Sequence, residues 1–220
     1  MAERISITAL DGHRLDAWHA DPNGTPKGGI VFLQAIYGLT NHLGDVCDWF
    51  ARDGFKAIAP ATYDRTERNK VFDYDDHGGM QFRENLREDT ILQDIGGCIA
   101  LLRQKTNHVA ISGFCTGGTW AWIASERLDV DAAGIFYGSD IHDNLDRRPK
   151  CPTILHYGDA DHVVSFDLVE KIGETYPESE FHVYPGAGHA FYNPEQENHN
   201  ANAAAMAHSR SVAFLEKHFV

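Results

Sequence analysis

At 220 residues, 43% of them hydrophobic and 23% charged, the chain is long enough for one well-buried core and short for two. A formal net charge of −13 sets it against phosphate backbones and anionic lipid surfaces, which excludes nucleic acid and membrane as main partners. The opening MAERISITALDG has no apolar signal region, and no run approaches the ~18 apolar residues of a membrane span. Four scattered cysteines (Cys47, Cys98, Cys115, Cys151) form no CxxC pair, so a cytoplasmic protein with free thiols is expected.

Strand-like and helix-like segments alternate, which points to one α/β domain around a largely parallel sheet. Residues 4–8 and 14–20, around the Asp11-Gly12 turn, read as an edge hairpin. Residues 29–33 form a short apolar run suited to a buried strand. A helix is expected from Asn41, as its cap, to about Arg52, with Leu43, Val46, Cys47 and Phe50 on one face and Gly54 at its end. Residues 55–59 are the next strand. Residues 61–82 carry many charges and no clean period, and read as a lid-like loop.

Within that loop Asp73, Asp75, His77 and Gly78, with Glu84 at the twelfth place, approach calcium-loop spacing. Imidazole is a poor ligand for so hard a cation and no helix precedes the segment, so a solvated lid without metal is the reading. Residues 83–105 are expected as one amphipathic helix, weakened by Gly96-Gly97. The rest reads as strands at 108–111, 132–137, 153–157 and 180–184, and helices at 116–127, 166–176 and 201–218.

The most informative stretch is HVAISGFCTGG, residues 108–118. A strand runs into Gly113-Phe114-Cys115-Thr116-Gly117 and then a helix, the pattern of a nucleophile elbow with cysteine as nucleophile. Such a turn holds its central residue in a strained conformation. A Cβ at 113 or 117 would collide across it. The sulfur would sit at a helix N-terminus, where the dipole favours thiolate. The Thr116 N–H points the same way and serves as an oxyanion donor. An isolated cysteine reads as buried and structural; the elbow context turns the reading to catalysis. A phosphate-binding loop is excluded, because no Lys-Ser/Thr follows the glycines.

An α/β-hydrolase needs an acid and then a histidine further along. Asp159 and Asp161 follow the strand at 153–157 and compete for the acid's role. Gly158-x-x-Asp161-x-x-Val164 lets the loop fold back over the sheet edge, which favours Asp161, with Asp159 as a turn residue. Among 13 histidines, most of them solvated or structural, His189 stands apart: it follows the last strand, between Gly188 and Ala190, before the last helix. Its Nε2 would face Cys115, with Asp161 on the other nitrogen.

These segments resemble the dienelactone hydrolase family over nearly the whole chain. The resemblance rests on Gly113-Phe114-Cys115-Thr116-Gly117-Gly118, the 158–164 loop, Gly188-His189-Ala190-Phe191 and Gln34-Ala35-Ile36-Tyr37-Gly38. It implies a single-domain α/β-hydrolase fold with a mostly parallel sheet and helices on both faces. It implies carboxylic ester hydrolysis of the carboxymethylenebutenolidase type, through Cys115, His189 and Asp161, a thioester acyl-enzyme and no cofactor. The Ile36 N–H becomes the second oxyanion donor. Two positions depart from the family. Its glutamate beside the resting cysteine is Ala35 here. Of its two arginines that hold a substrate carboxylate, Arg65 looks like the first, and Asn193 stands where the second would be.

Tyr37, Tyr63, Phe114, Trp120, Tyr137 and Phe191 lie beside elbow or strand-end positions and are expected to line the pocket, with core packing as each one's competing role. The expected partner is a small ester or lactone, and the expected state a monomer or weak homodimer. A broad carboxylesterase or thioesterase is the runner-up. A non-catalytic binding or redox module, with Cys115 as its switch, is the reading from another class; retention of acid, base and both elbow glycines together argues against it.

Overall fold

The apolar runs find their place in the middle of one eight-stranded sheet. The computed structural model describes residues 1–219. The strands are β1 (Glu3–Thr8), β2 (Arg14–Ala20), β3 (Gly28–Leu33), β4 (Phe55–Pro60), β5 (Val109–Phe114), β6 (Ala132–Phe136), β7 (Thr153–Gly158) and β8 (Glu180–Tyr184). Their order is β1-β2-β4-β3-β5-β6-β7-β8. The β1–β2 and β2–β4 pairs are antiparallel; the pairs from β4 through β8 are parallel. Strands β3, β5, β6 and β7 are buried over their whole length, as continuous apolar runs covered on both faces must be.

Helix α1 (Asn41–Arg52) packs on β2 and β4, and α3 (Glu88–Arg103) on β1, β3 and β4. Helix α4 (Thr116–Arg127) covers β5 and β6, and α6 (Ala201–His218) covers β6 and β7. Helix α5 (Phe166–Thr175) joins β7 to β8. The chain leaves β3 for β4 on one side, then crosses to β5 on the other. The carboxyl ends of β3 and β5 therefore flank a topological switch point, where open α/β sheets bind their ligands. Among the described residues, no helix is long and apolar enough to cross a membrane.

Two expectations need correction. Thr40, not Asn41, precedes the first turn of α1. Residues 83–105 are not one helix. A short helix α2 (Gly78–Glu84) ends at Asn85, and α3 starts at Glu88. The two helices have different partners: α2 lies beside Phe72 and Ile36, whereas α3 spans the sheet. The preceding loop is anchored as well as irregular. Asp64 accepts the Asp16 and Asn69 N–H groups, each at 2.8 Å, and Gly38 bridges to Val71.

The glycines in the middle of α3 have a packing role that outweighs their poor propensity. A Cβ on Gly96 would stand 2.4 Å from Leu10 Cδ1, and one on Gly97 2.4 Å from the Thr8 carbonyl oxygen. Propensity alone says that Gly97→Ala stabilises a helix interior by about 1 kcal/mol. The backbone contact reverses the sign: Gly97→Ala is expected to destabilise the protein by about 1–3 kcal/mol in urea unfolding. A rise in stability would show that α3 can move off β1 at little cost.

Candidate active site

Strand β5 delivers Cys115 to the switch point. Cys115 stands immediately before α4 with φ 54° and ψ −121°, in the left-handed half of backbone space where side chains are strained. Its N–H donates to the Phe136 carbonyl at 3.0 Å, and its own carbonyl accepts from Thr119 N–H at 3.2 Å and Ser139 N–H at 3.3 Å. These bonds hold the strained residue in place. A Cβ on Gly113 would lie 2.1 Å from the Gly117 oxygen, and one on Gly117 2.3 Å from the Leu33 oxygen. Only glycine at both positions lets the turn close against the end of β3. Among the described residues, neither the Thr116 nor the Ile36 N–H has a hydrogen-bond acceptor within the fold.

The acid and the histidine arrive on two loops that knit together. Asp161 Oδ2 meets His189 Nδ1 at 2.8 Å, while its Oδ1 accepts the N–H groups of Val163 and Val164 at 2.7 and 3.0 Å. Asp159 takes the turn role instead, accepting the Gly186 N–H at 2.6 Å. A Cβ on Gly158 would lie 1.9 Å from the Ala187 oxygen, so these loops touch backbone to backbone. Burial by itself would raise the Asp161 carboxyl; the His189 contact and the two N–H bonds outweigh it and hold the group below the usual carboxylate range. Burial by itself would lower the His189 imidazole; the Cys115 sulfur and the Asp161 carboxylate outweigh it and raise the group to about 10. His189 Nε2 is buried without a well-formed hydrogen bond, and the Cys115 sulfur is near enough to exert that pull. Loose contacts of this kind commonly tighten when substrate binds.

Cys115 and His189 share a cavity of about 260 Å³. Of the residues expected to line it, Tyr37, Phe114 and Tyr137 do so, together with Ile36, the expected oxyanion donor, and Asn193. Tyr137 is fully buried with its ring centroid 5.0 Å from that of His189. Asn193 Nδ2 donates to the Tyr74 hydroxyl at 3.1 Å. Three expected contacts lie elsewhere. Tyr63 is buried behind Ile36. Phe191 is fully buried against Tyr137 and Tyr184. Trp120, half-buried on α4, stands outside the cavity lining.

Arg65 is the clearest correction. Its guanidinium grips both oxygens of Asp94, at 2.7–3.0 Å, and reaches Asp11 at 2.9 Å. Asp94 is 1% exposed on α3, so Arg65 neutralises a buried charge and is absent from the cavity. The signal was available: Asp94 falls on the apolar face with Ile91, Ile95 and Cys98.

The cavity also holds residues that the sequence reading missed. His42 is buried with both ring nitrogens unpartnered, and burial, helped by His199, pulls it down to about 3, so it stays neutral. Arg83 on α2 lines the cavity and pairs with Asp140 at 2.8 Å. Tyr74, Met80, Ser139 and His162 complete the walls around them. Met80 and Arg83 come from the short helix that was read as loop and long helix. Among the described residues, no group of three or more His, Cys, Asp or Glu side chains is placed to hold a metal ion.

An elbow after β5, an acid after β7 and a histidine after β8 on such a sheet define an α/β-hydrolase. The chain belongs to the dienelactone hydrolase family, whose family model matches residues 15–219, and it is a hydrolase of that type. It is 28% identical to a carboxymethylenebutenolidase of Pseudomonas putida over 227 residues, 98% of this chain and 96% of the relative. A Klebsiella pneumoniae structure provisionally described as a dienelactone hydrolase superposes with a TM-score of 0.84 at 24% identity, over 98% of both chains. A dienelactone hydrolase-like promiscuous phosphotriesterase from metagenomic libraries superposes at 0.78 with 17% identity, covering 99% of this chain and 98% of its own.

The raised His189 has a thermodynamic consequence. A histidine raised from 6.5 to about 10 in the folded state stabilises the fold fully below pH 6.5, and that contribution disappears as pH climbs through about 10. The stability gap between the wild type and His189→Gln is therefore expected to be widest at pH 6 and to narrow steadily up to pH 10. A gap independent of pH over that range would mean that His189 is not charged beside Cys115.

Proposed function

We propose that the chain cleaves a small carboxylic ester or lactone by covalent catalysis, with Cys115 as nucleophile, His189 as proton carrier and Asp161 as the carboxylate that orients it. The observation that carries this reading is the 2.8 Å Asp161–His189 contact in the same cavity as a cysteine held at φ 54°. With the proton held on His189 Nε2, the Cys115 thiolate forms a bond to the ester carbonyl carbon. The carbonyl electron pair moves to oxygen, where the N–H groups of Thr116 and Ile36 receive it. The C–O bond breaks, and His189 returns its proton to the departing alcohol or enol. A water then gives its proton to His189, attacks the thioester and releases the acid and the thiolate.

The surroundings favour a neutral substrate over a carboxylated lactone. Arg65 is committed to Asp94 and Asp11, Asn193 brings no charge, and Arg83 is already paired with Asp140. Apolar walls at Leu43, Phe114 and Tyr137 suit a short acyl chain. Without a glutamate at Ala35, the resting sulfur has His189 as its ionic partner.

The test is initial rates on p-nitrophenyl butyrate and on a carboxylated dienelactone. The wild type is expected to turn over the neutral ester with the higher kcat/KM. Cys115→Ala and His189→Ala are each expected to lose about 10³-fold or more in kcat. Denaturing mass spectrometry of the quenched wild type is expected to find the butyryl group on Cys115. Full turnover by folded Cys115→Ala would overturn the mechanism. A strong preference for the dienelactone would keep the triad and refute the neutral-substrate reading.

A further inference from the structure

The loop that carries Ile36 has no strand or helix of its own, yet an oxyanion donor must be fixed before the reaction starts. Its fixation comes from the segment that follows β4. Gln34 Oε1 accepts the Thr62 N–H at 3.2 Å, and Tyr37 O accepts the Phe72 N–H at 2.9 Å. Between them the Tyr63 hydroxyl donates to the Ile36 carbonyl at 3.0 Å and lies 3.3 Å from the Gly79 carbonyl. Gly79 presses on the same atom, since a Cβ there would stand 2.2 Å from the Ile36 oxygen. Tyr63 is 2% exposed, and its ring is wedged between those of Phe72 and Phe82, at 6.3 and 5.4 Å. The hydroxyl is thus the proton between two carbonyl oxygens that otherwise face each other.

We propose that Tyr63 is a positioning residue for the oxyanion hole: its hydroxyl ties the Ile36 backbone to α2 and keeps the Ile36 N–H aimed at the developing oxyanion. This rests on Ile36 serving as an oxyanion donor to the Cys115 thioester reaction. Removing the hydroxyl leaves two buried carbonyls in mutual repulsion. The Ile36 peptide relaxes away from Gly79, and its N–H moves off the oxyanion position. Misplacement on the ångström scale costs up to about 10²-fold in rate. The Thr116 N–H stays, because α4 fixes it independently of Tyr63.

Tyr63→Phe separates this role from a structural one. The expected result is a fall in kcat on p-nitrophenyl butyrate of roughly 10- to 100-fold with KM nearly unchanged. Affinity for a trifluoromethyl ketone, which forms a tetrahedral adduct with the thiolate, is expected to fall in parallel. Alkylation of Cys115 by iodoacetamide develops no oxyanion and is expected to keep its wild-type rate. Gly79→Ala, which pushes on the same carbonyl, is expected to repeat the pattern. An unchanged kcat in Tyr63→Phe overturns the proposal, and so does an equal fall in alkylation and ester cleavage, which would place the effect on the nucleophile or the fold. Either failure leaves the triad standing, because the loss of activity in Cys115→Ala tests that separately.

Discussion

The site depends on how closely the turn after β5 approaches the end of β3. With only hydrogen on Gly113 and Gly117, the elbow closes until the Gly117 Cα faces the carbonyls of Leu33 and Gln34. That approach sets the distance between Cys115 and the loop carrying Ile36. It also puts Cys115 in a backbone conformation that its neighbours must hold, and the bonds to Phe136, Thr119 and Ser139 do so. A single methyl group at either glycine would move the sulfur relative to every other group of the site.

The corner of the cavity at Cys115 carries positive groups inside an acidic chain. Overall charge is −13, yet the corner around Cys115 combines the N-terminus of α4 with an imidazole raised to about 10. Asp161 stabilises that imidazole without being available to anything else, since both its oxygens are engaged. In the proposed reaction the ester releases a carboxylate, and the net negative charge of the chain favours its departure.

Much of the fold and the centre of the site were legible in the sequence because both rest on local patterns. Buried parallel strands show as short apolar runs, and the elbow shows as two glycines around Cys115. The order of elbow, acid and histidine gave Asp161 and His189 their candidate roles, and the 2.8 Å contact between them is consistent with that order. Arg65 reads as a substrate clamp in the sequence because its partner, Asp94, lies 29 residues away on α3; the apolar face shows that Asp94 is buried, but only the packing shows that it takes this guanidinium. His42 and Arg83 were overlooked for a related reason. A histidine in the first turn of a helix and an arginine near a helix end look solvated until the walls of a cavity are assembled around them. The break between α2 and α3 is hidden because residues 85–87 carry no Gly or Pro to mark it, whereas the packing partners change there.

The two sides of the cavity are built by different means. Cys115, Asp161 and His189 sit on loops leaving β5, β7 and β8, in the parallel part of the sheet, and their backbones are locked by contacts too close to admit a Cβ. The opposite wall comes from the excursion between β4 and α3. It is held by separate anchors: Asp64 on two N–H groups, Arg65 on Asp94, Phe72 on Tyr37, and an aromatic cluster of Tyr63, Phe72 and Phe82. The proposed mechanism places bond cleavage on the first wall, at Cys115 and His189, and leaves the second to shape the space for substrate. Tyr74, Met80 and Arg83, all from this opposite wall, share the cavity with Cys115 and His189. That second wall also secures the Ile36 loop, because Tyr63 and Gly79 both meet the Ile36 carbonyl.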